Sequence, residues 1–380
     1  MVFAIYRKYR PRIFKDLLGQ ELIGRILKNA ASQNKFSHAY LFTGPRGSGK
    51  TTAARLIAKV ANCQTRQKDE KFAKLGEPCN QCAACVEIDY GQALDVIEID
   101  AASNRGIDEI RNLKESVRLS PTSLSKKIFI IDEAHMLTKE AFNALLKTLE
   151  EPPEHVLLIL ATTEFEKIPA TIISRTQQFH FKKISLMQIR EKLKKISDNE
   201  NLEISNGALE LIAASAEGSF RDAESLLDQL LSFGYQKIGI DEVEKMVGKV
   251  TFSKIAAFAE TLLKGETGKT LQELAEIEDD GYNLVQFVKD LIHYLRKALV
   301  LKFEPSLEKA FKEELTPEAL EKLKSHTKLV EEKHLGLLKN LIKAYGQMSY
   351  SHFPIIPLEV AIVESLKISA RGGSALNEKN

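Results

Sequence analysis

Short apolar runs alternate with helical patterns in the first half of the chain. Four of these runs have the length and composition of buried strands: 39–43, 95–100, 127–132 and 155–162. Between the last two, Lys139–Glu150 carries apolar residues at helical spacing, and Pro152 and Pro153 end that helix. Strands that alternate with helices in this way predict an α/β domain with a parallel sheet.

From about residue 182 onward the pattern predicts helices and no strands. One long amphipathic helix is expected around 284–295 and a last helix at 358–366. The pattern therefore predicts three domains and a short end segment: an α/β domain at 1–180, a small helical domain at 181–248, a helical domain at 250–370 and a disordered tail at 371–380.

The composition narrows the class of protein. Of 380 residues, 44% are hydrophobic, which is enough for a sizeable core, and the net charge of +2 gives no overall basic field. No apolar run approaches the length of a membrane span, and the basic start lacks the apolar centre of a secretory leader. We therefore expect no membrane association and a cytoplasmic location.

A phosphate-binding motif follows the first predicted strand. The eight residues fit G-x-x-x-x-G-K-[ST] at every fixed position: Gly44, Pro45, Arg46, Gly47, Ser48, Gly49, Lys50 and Thr51. A helical pattern at 53–60 comes next, and this strand–loop–helix context disfavours a chance match. The glycines let backbone N–H groups surround phosphate oxygens, while Lys50 is expected to reach the β- and γ-phosphates and Thr51 to coordinate Mg²⁺.

Polar residues end the third and fourth strands of this predicted sheet. Asp132 suits the coordination of Mg²⁺, and Glu133 is placed to polarise an attacking water as a general base. Thr162 and Thr163 end the strand after that, and one of them is a candidate sensor of the γ-phosphate. Arg175 follows as a candidate for charge supplied to a phosphoryl group, in cis or in trans. His135 receives no role.

All four cysteines lie within 23 residues. Fifteen residues separate Cys63 from the run Cys79-x2-Cys82-x2-Cys85. In a reducing compartment disulfides are disfavoured, and this spacing suits one tetrahedral Zn²⁺ held by four thiolates, which would be structural because no position stays open. An iron–sulfur cluster is the less favoured alternative, because the Cys-Pro that follows such runs in ferredoxins is absent.

With these motifs assembled, the chain resembles the gamma/tau subunits of bacterial DNA polymerase III clamp loaders, which are AAA+ ATPases. The matching stretches are Tyr6-Arg7-Lys8-Tyr9-Arg10-Pro11, Leu18-Gly19-Gln20-Glu21, the sequence IEIDAAS from Ile97, NALLKTLEEPP from Asn143, and Gly218-Ser219-Phe220-Arg221-Asp222. The resemblance implies a P-loop AAA+ domain with an inserted zinc module at 62–90, then a helical lid domain and an all-helical collar domain.

The resemblance also implies roles at matching positions. Arg175 corresponds to an arginine finger that completes a neighbouring subunit's ATP site, although Thr176 stands where the family has Cys. Arg221 corresponds to a sensor arginine that contacts ATP in cis, and Thr162 is favoured over Thr163 as the first sensor. Residues that pack around the nucleotide are expected beyond the motif: Tyr6, Arg10, Pro11, Leu17, Leu18 and Thr52.

The function that the resemblance implies is ATP-driven loading of a sliding clamp onto primed DNA during replication. The implied cofactors are ATP, Mg²⁺ and Zn²⁺, and the implied partners are delta, delta-prime and further gamma/tau copies in a hetero-pentamer, the clamp and DNA. Asn104, Arg105 and Lys139 are candidate DNA contacts. Two alternatives stay open: a non-hydrolysing scaffold subunit like delta-prime, and an AAA+ branch-migration motor.

Overall fold

The computed structural model describes residues 4–103, 113, 115–234, 237–248, 250–348, 350–351 and 353–372. These residues form two compact units. The first ends at Ile189 and includes Ala216–Asp228, and the second combines Arg190–Ser215 with the described chain from Gln229 onward. The predicted boundaries of the three domains stay predictions, and residues 373–380 of the predicted tail lie outside the described chain.

Five parallel strands form the sheet of the first unit. Their bounds are β1 Ala39–Thr43, β2 Val96–Asp100, β3 Lys127–Asp132, β4 Val156–Thr162 and β5 Gln177–His180. They lie in the order β2-β3-β4-β1-β5, and every adjacent pair is parallel. The register aligns Thr43 with Thr162 and Asp100 with Asp132, so the carboxyl ends of the strands share one edge of the sheet.

Helices cover both faces of this sheet. In chain order they are α1 Ile5–Lys8, α2 Glu21–Ser32, α3 Lys50–Asn62, α4 Gln64–Lys68, α5 Glu70–Ala73, α6 Ala83–Tyr90, α7 Lys139–Glu150 and α8 Ala170–Ile173. One apolar layer joins Phe42 of β1 to Ile57 of α3, and the opposite layer joins Phe129 of β3 to Leu145 of α7. Because both faces are covered, all residues of β1 and β4 are buried, which explains their continuous apolar sequences.

The sequence analysis missed the edge strand β5 and placed the starts of β2 and β4 a residue early. In β5 only Phe179 is buried, so its glutamines resemble a surface loop in sequence. At β2 the predicted start was residue 95, but the Asp95 carboxylate accepts backbone N–H groups of Thr122, Ser123 and Leu124 at 2.7–2.8 Å. The strand proper therefore begins at Val96.

The second unit is mainly helical, as the pattern predicts. Continuing in chain order, the helices are α9 Leu186–Asn199, α10 Asn206–Ser215, α11 Phe220–Ser232, α12 Ile240–Val247, α13 Phe252–Lys264, α14 Thr267–Asp279, α15 Leu284–Phe303, α16 Glu308–Glu314, α17 Pro317–Thr327, α18 Lys333–Met348 and α19 Ile355–Gly372. The beginning of α9 and most of α11 belong to the first unit. The long helix α15 supplies the centre of the second unit's core, where the Phe287 and Phe258 rings meet edge to face with centroids 5.0 Å apart.

Two features of the helical half differ from the sequence prediction. A pair of two-residue parallel strands, β6 Glu203–Ile204 and β7 Lys237–Ile238, lies where no strand was expected. Such short strands leave no periodic signal. Among the described residues, no helix has both the length and the apolar character that crossing a membrane requires.

A buried ion pair joins α3 to α6. Lys59 is 1% exposed, and its Nζ donates to both oxygens of Asp89 at 2.8 Å, while the Asp89 side chain stays 35% exposed. The two partners are therefore unequal: the buried ammonium depends on the carboxylate for its counter-charge, whereas the carboxylate also meets solvent.

We expect Asp89→Ala to destabilise the first unit more than Lys59→Met. The first change leaves a buried ammonium unpaired and should lower the free energy of unfolding by about 3–5 kcal/mol. The second leaves only a partly hydrated carboxylate. Urea denaturation of both variants measures the difference, and an equal or smaller loss in Asp89→Ala would contradict this account of the pair.

Candidate nucleotide and metal sites

The phosphate loop connects β1 to α3 at the carboxyl edge of the sheet. Gly47 and Gly49 have φ of +70° and +102°, a region that side chains disfavour, and α3 begins directly at Lys50. A Cβ on Gly47 would also collide with the Ser219 hydroxyl. The loop therefore needs glycine at Gly47 for two independent reasons, its own backbone and the close approach of the 216–228 segment.

Two side chains at the start of α3 meet the end of β3. Thr51 Oγ1 donates to Asp132 Oδ2 at 2.8 Å, which brings the two expected Mg²⁺ ligands together. Lys50 Nζ donates to the carbonyls of Gly44 and Pro45 at 2.9 Å each. Burial lowers the pKa of Lys50, and the charges of Glu133 and Asp132 partly offset this effect. The structure thus brings these motif residues together, and their roles stay predictions.

The carboxylate of Glu133 lies beside the end of β4. Glu133 has φ of +47°, an unusual conformation for a residue other than glycine and one that clusters at functional sites. Thr163 Oγ1 donates to Glu133 Oε2 at 2.9 Å, whereas Thr162 is fully buried and its Oγ1 lies 3.0 Å from His135 Nδ1. The resemblance favours Thr162 as the sensor, and that choice stays a prediction; of the two hydroxyls, that of Thr163 contacts the candidate base directly.

The sequence analysis gave no role to Gln20, which ties the phosphate loop to its surroundings. The Gln20 side chain is 3% exposed; its amide donates to the Ser48 carbonyl at 3.4 Å and exchanges hydrogen bonds with the backbone of Lys182 at 2.7 and 3.0 Å. Nearby, Leu17 Cδ2 lies 3.9 Å from the position of a Cβ on Gly49. A glutamine in a turn resembles a surface residue in sequence, so only the resemblance drew attention to this stretch.

Residues of the N-terminal segment lie close to arginines of other elements in the first unit. Arg221 lies over the Tyr6 ring, with its guanidinium carbon 5.5 Å from the centroid. Burial lowers the pKa of Arg10, and the positive charges of Arg55 and Arg221 lower it further. Of the other candidates for nucleotide packing, Pro11 and Leu18 are half-buried and Leu17 is buried.

Arg175 and Arg46 have different partners. Among the described residues, Arg175 contacts Glu150 at 2.8 Å and its own turn, through the Thr171 carbonyl, rather than the phosphate loop. Thr176, the departure from the family motif, donates to the Ile172 carbonyl at 3.1 Å and so fits the same turn. Arg46 lies 4.0 Å from Asp222, and both are exposed, so this pair adds little stability.

Of the three candidate DNA contacts, the structure describes Lys139, which begins α7 and is exposed. Asn104 and Arg105 lie outside the described residues.

The four cysteines converge on one point. The Sγ atoms of Cys63, Cys79, Cys82 and Cys85 all lie within 4.8 Å of one another, and those of Cys79 and Cys85 are 3.9 Å apart. Four sulfurs bound to one Zn²⁺ at about 2.3 Å would be separated by roughly 3.8 Å, so the donor set fits a single tetrahedral ion. A multi-iron cluster places its cysteines on different irons and needs them farther apart.

Hydrogen bonds favour the thiolate form of one of these cysteines, which is the form that binds a metal. Burial opposes ionisation of Cys79, but hydrogen bonds from the Thr65 side chain and from the N–H groups of Gln81 and Cys82 outweigh it, and its pKa is lowered to about 6. Burial raises the pKa of Cys85, so that thiol requires a metal ion to lose its proton at neutral pH.

The cysteine module packs on α2 through buried polar contacts. Arg66 donates to the carbonyls of Ala73 and Ala31 at 2.7 Å each, and Glu77 accepts the Phe14 N–H at 2.7 Å. The module is thus an integral part of the first unit.

Comparison with known proteins identifies the family. Three family models match consecutive parts of the chain: "DNA polymerase III, delta subunit" at residues 19–185, "DNA polymerase III clamp loader subunit, ATPase lid domain" at 188–236, and "DNA polymerase III subunits gamma and tau domain III" at 238–370. The DNA polymerase III subunit gamma of Buchnera aphidicola from Acyrthosiphon pisum is 40% identical over 289 residues, which are 76% of this chain and 78% of that protein. The chain belongs to the DNA polymerase III gamma/tau family.

Longer relatives extend beyond the matched region. The tau subunit of Bacillus subtilis is 43% identical over 99% of this chain, but the match covers 65% of that protein. The Escherichia coli tau subunit is 39% identical over 80% of this chain and 46% of its own length. The chain therefore spans about half to two thirds of these longer family members.

Solved structures give weaker likenesses. A Bacillus subtilis clamp loader delta protein aligns at 12% identity over 90% of this chain and 99% of its own, with a TM-score of 0.41. A Thermotoga maritima RuvB Holliday junction branch migration motor aligns at 19% identity over 67% of this chain and 79% of its own, with a TM-score of 0.44. At these scores neither likeness distinguishes a loader from a motor.

Family membership and the structure together confirm the predicted fold class. A parallel-sheet AAA+ domain is followed by a lid and a helical C-terminal domain of the gamma/tau type, and four cysteines cluster where the zinc module was expected. The roles of the individual site residues, by contrast, stay predictions.

Metal analysis checks the cysteine cluster. We expect about one zinc ion per chain in purified wild-type protein and a clear loss of zinc in Cys82→Ser, because three thiolates hold the ion less tightly than four. Gln81→Ser, an exposed neighbour in the same turn, is the matched control and should retain the metal. Equal zinc content in Cys82→Ser and wild type would refute the four-cysteine site.

Proposed function

We propose that this chain is an ATPase subunit of the bacterial DNA polymerase III clamp loader, which uses ATP binding and hydrolysis to load the sliding clamp onto primed DNA. The observation that carries the proposal is the contact of Thr51 with Asp132 at 2.8 Å, beside Lys50 and Glu133. This contact supports the proposal because a hydrolysing subunit requires these four side chains together, and they meet here in a member of the gamma/tau family.

In the proposed reaction the loop and Lys50 hold the phosphates of ATP. Mg²⁺ held by Thr51 and Asp132 would neutralise charge on the β- and γ-phosphates. Glu133 accepts a proton from a water that attacks the γ-phosphorus as the bond to the ADP oxygen breaks. Arg221, over Tyr6 in the same unit, contributes positive charge in cis.

Arg175 acts in trans under this proposal. Its partners in this chain are Glu150 and its own turn, so it is held near the surface, where a neighbouring subunit's ATP could meet it. Its side chain is 34% exposed, which fits a residue that changes partners on assembly. The proposed partners are delta, delta-prime and further gamma/tau copies, together with the clamp and primed DNA.

The role proposed for Zn²⁺ is structural. The four cysteines would hold Zn²⁺ in a closed tetrahedral site, which cross-links the end of α3 to α6 and leaves no position for a substrate.

ATP hydrolysis by the complex reconstituted with its partner subunits tests the function. We expect strong stimulation that requires both the sliding clamp and primed DNA. Hydrolysis that responds to DNA but ignores the clamp would favour a branch-migration motor instead. ATP binding without hydrolysis would favour the non-hydrolysing scaffold, and either result overturns the loader proposal.

Removal of the phosphate-loop lysine tests the ATP site itself. Lys50→Ala should reduce ATP binding or hydrolysis to background, because the buried ammonium is the charge aimed at the phosphates. Lys35→Ala, at an exposed position outside the loop, is the control and should hydrolyse ATP normally. Wild-type turnover in Lys50→Ala would exclude this loop as the ATP site.

Arg175→Ala should separate binding from hydrolysis. We expect unchanged ATP affinity and a loss of stimulated hydrolysis by about 10³-fold or more, the effect of removing an arginine finger. Glu150→Ala removes only the carboxylate that Arg175 contacts and should hydrolyse ATP normally. Weakened ATP binding by Arg175→Ala itself would contradict the assignment in trans.

A further inference from the structure

The imidazole of His135 lies between two carboxylates in the candidate ATP site. Its side chain is 6% exposed; Nε2 lies 3.1 Å from Glu164 Oε1, and Nδ1 lies 3.5 Å from Glu133 Oε2. Lys167 Nζ lies 2.8 Å from the other oxygen of Glu164. The charged groups around the ring are thus Glu133, Glu164 and Lys167.

The Glu164 carboxylate determines one hydrogen position on the ring. A carboxylate only accepts hydrogen bonds, so Nε2 carries the hydrogen and donates to Glu164. Nδ1 lies 3.0 Å from the Thr162 hydroxyl, which also lies 3.3 Å from the Glu164 carbonyl oxygen. The same hydroxyl accepts the Glu164 N–H at 3.0 Å. The ring therefore has a polar contact at each nitrogen, with Thr162 at Nδ1 and with Glu164 at Nε2.

This arrangement limits where the Glu133 carboxylate can point. Glu133 Oε2 lies 3.5 Å from Nδ1 of His135 and accepts a hydrogen bond from the Thr163 hydroxyl at 2.9 Å. These contacts all involve Oε2. Oε1 is therefore the oxygen left to face an attacking water.

The backbone explains why His135 returns to this position. Glu133 has φ of +47°, and a 3-10 turn follows at Ala134–Met136. The reversal carries the side chain of His135 back toward that of Glu133, two residues earlier. An unusual backbone conformation thus serves to place the ring beside the carboxylate.

We propose that His135 is a positioning residue, which together with Thr163 directs the Glu133 carboxylate so that Oε1 can take the proton of the attacking water. The inference rests on the proposed ATP hydrolysis and assigns His135 no contact with ATP. Groups that orient a reacting side chain in this way are typically worth about 10- to 100-fold in rate.

The test compares His135→Leu and His135→Asn in the reconstituted complex with clamp and primed DNA. We expect His135→Leu to lower kcat by about 10- to 100-fold, with KM and ATP affinity within about twofold of wild type, because only the orientation of the base is lost. The Asn amide reaches the position of Nδ1 and keeps a polar contact with Thr162, so His135→Asn should recover at least half of the lost activation free energy.

A second histidine provides the matched control. His155 directly precedes the first residue of β4, at the opposite end of the sheet from the candidate site, and its Nε2 contacts the Val117 carbonyl at 3.2 Å. His155→Leu should therefore keep wild-type kcat.

Three results would overturn the inference: wild-type kcat in His135→Leu, a rise in KM that accounts for its whole loss of kcat/KM, or equal impairment of the Leu and Asn variants. A wild-type complex without ATP hydrolysis would instead refute the proposed function. If the wild-type complex hydrolyses ATP and His135→Leu does so equally fast, only the role of His135 is refuted and the proposed function stands.

Discussion

The parallel direction of the strands is the constraint on which the candidate ATP site depends. Because β1, β3 and β4 all run the same way, the loop after β1, the acids after β3 and the threonines after β4 come out at one edge of the sheet. The Thr51–Asp132 hydrogen bond then joins the helix that follows β1 to the end of β3, although β4 lies between those two strands. An antiparallel strand at any of these positions would carry its residues to the opposite edge.

The motif residues could be proposed from sequence because they lie close together in the chain or end a visible strand. The loop backbone requires glycine at Gly47, phosphate and Mg²⁺ chemistry suggests Lys50 and Thr51, and Asp132 ends a strand whose apolar run is visible in sequence. The choice between Thr162 and Thr163 could not be made in the same way. Adjacent residues at a strand end point in different directions, and only the register with the neighbouring strand and the turn at Glu133 decides which hydroxyl meets the carboxylate.

Contacts between distant segments explain the remaining differences. Gln20 meets Ser48 and Lys182, residues 28 and 162 positions away, and no local pattern encodes such a pairing. Strand β5 is polar because it lies at a sheet edge, so it lacks the apolar run that revealed the other strands. The cysteine cluster shows the opposite case, since ligand chemistry alone predicts that distant thiols converge.

Helix α3 has a different attachment at each end. Its first turn carries Lys50 and Thr51, and Cys63 follows its last residue, about 20 Å away at 1.5 Å per residue. Lys59, in the last turn, is held to α6 by Asp89. The far end of the helix is thus held by a side-chain pair and lies next to the cysteine module, so any sliding of the helix along its axis would have to stretch the Lys59–Asp89 contact.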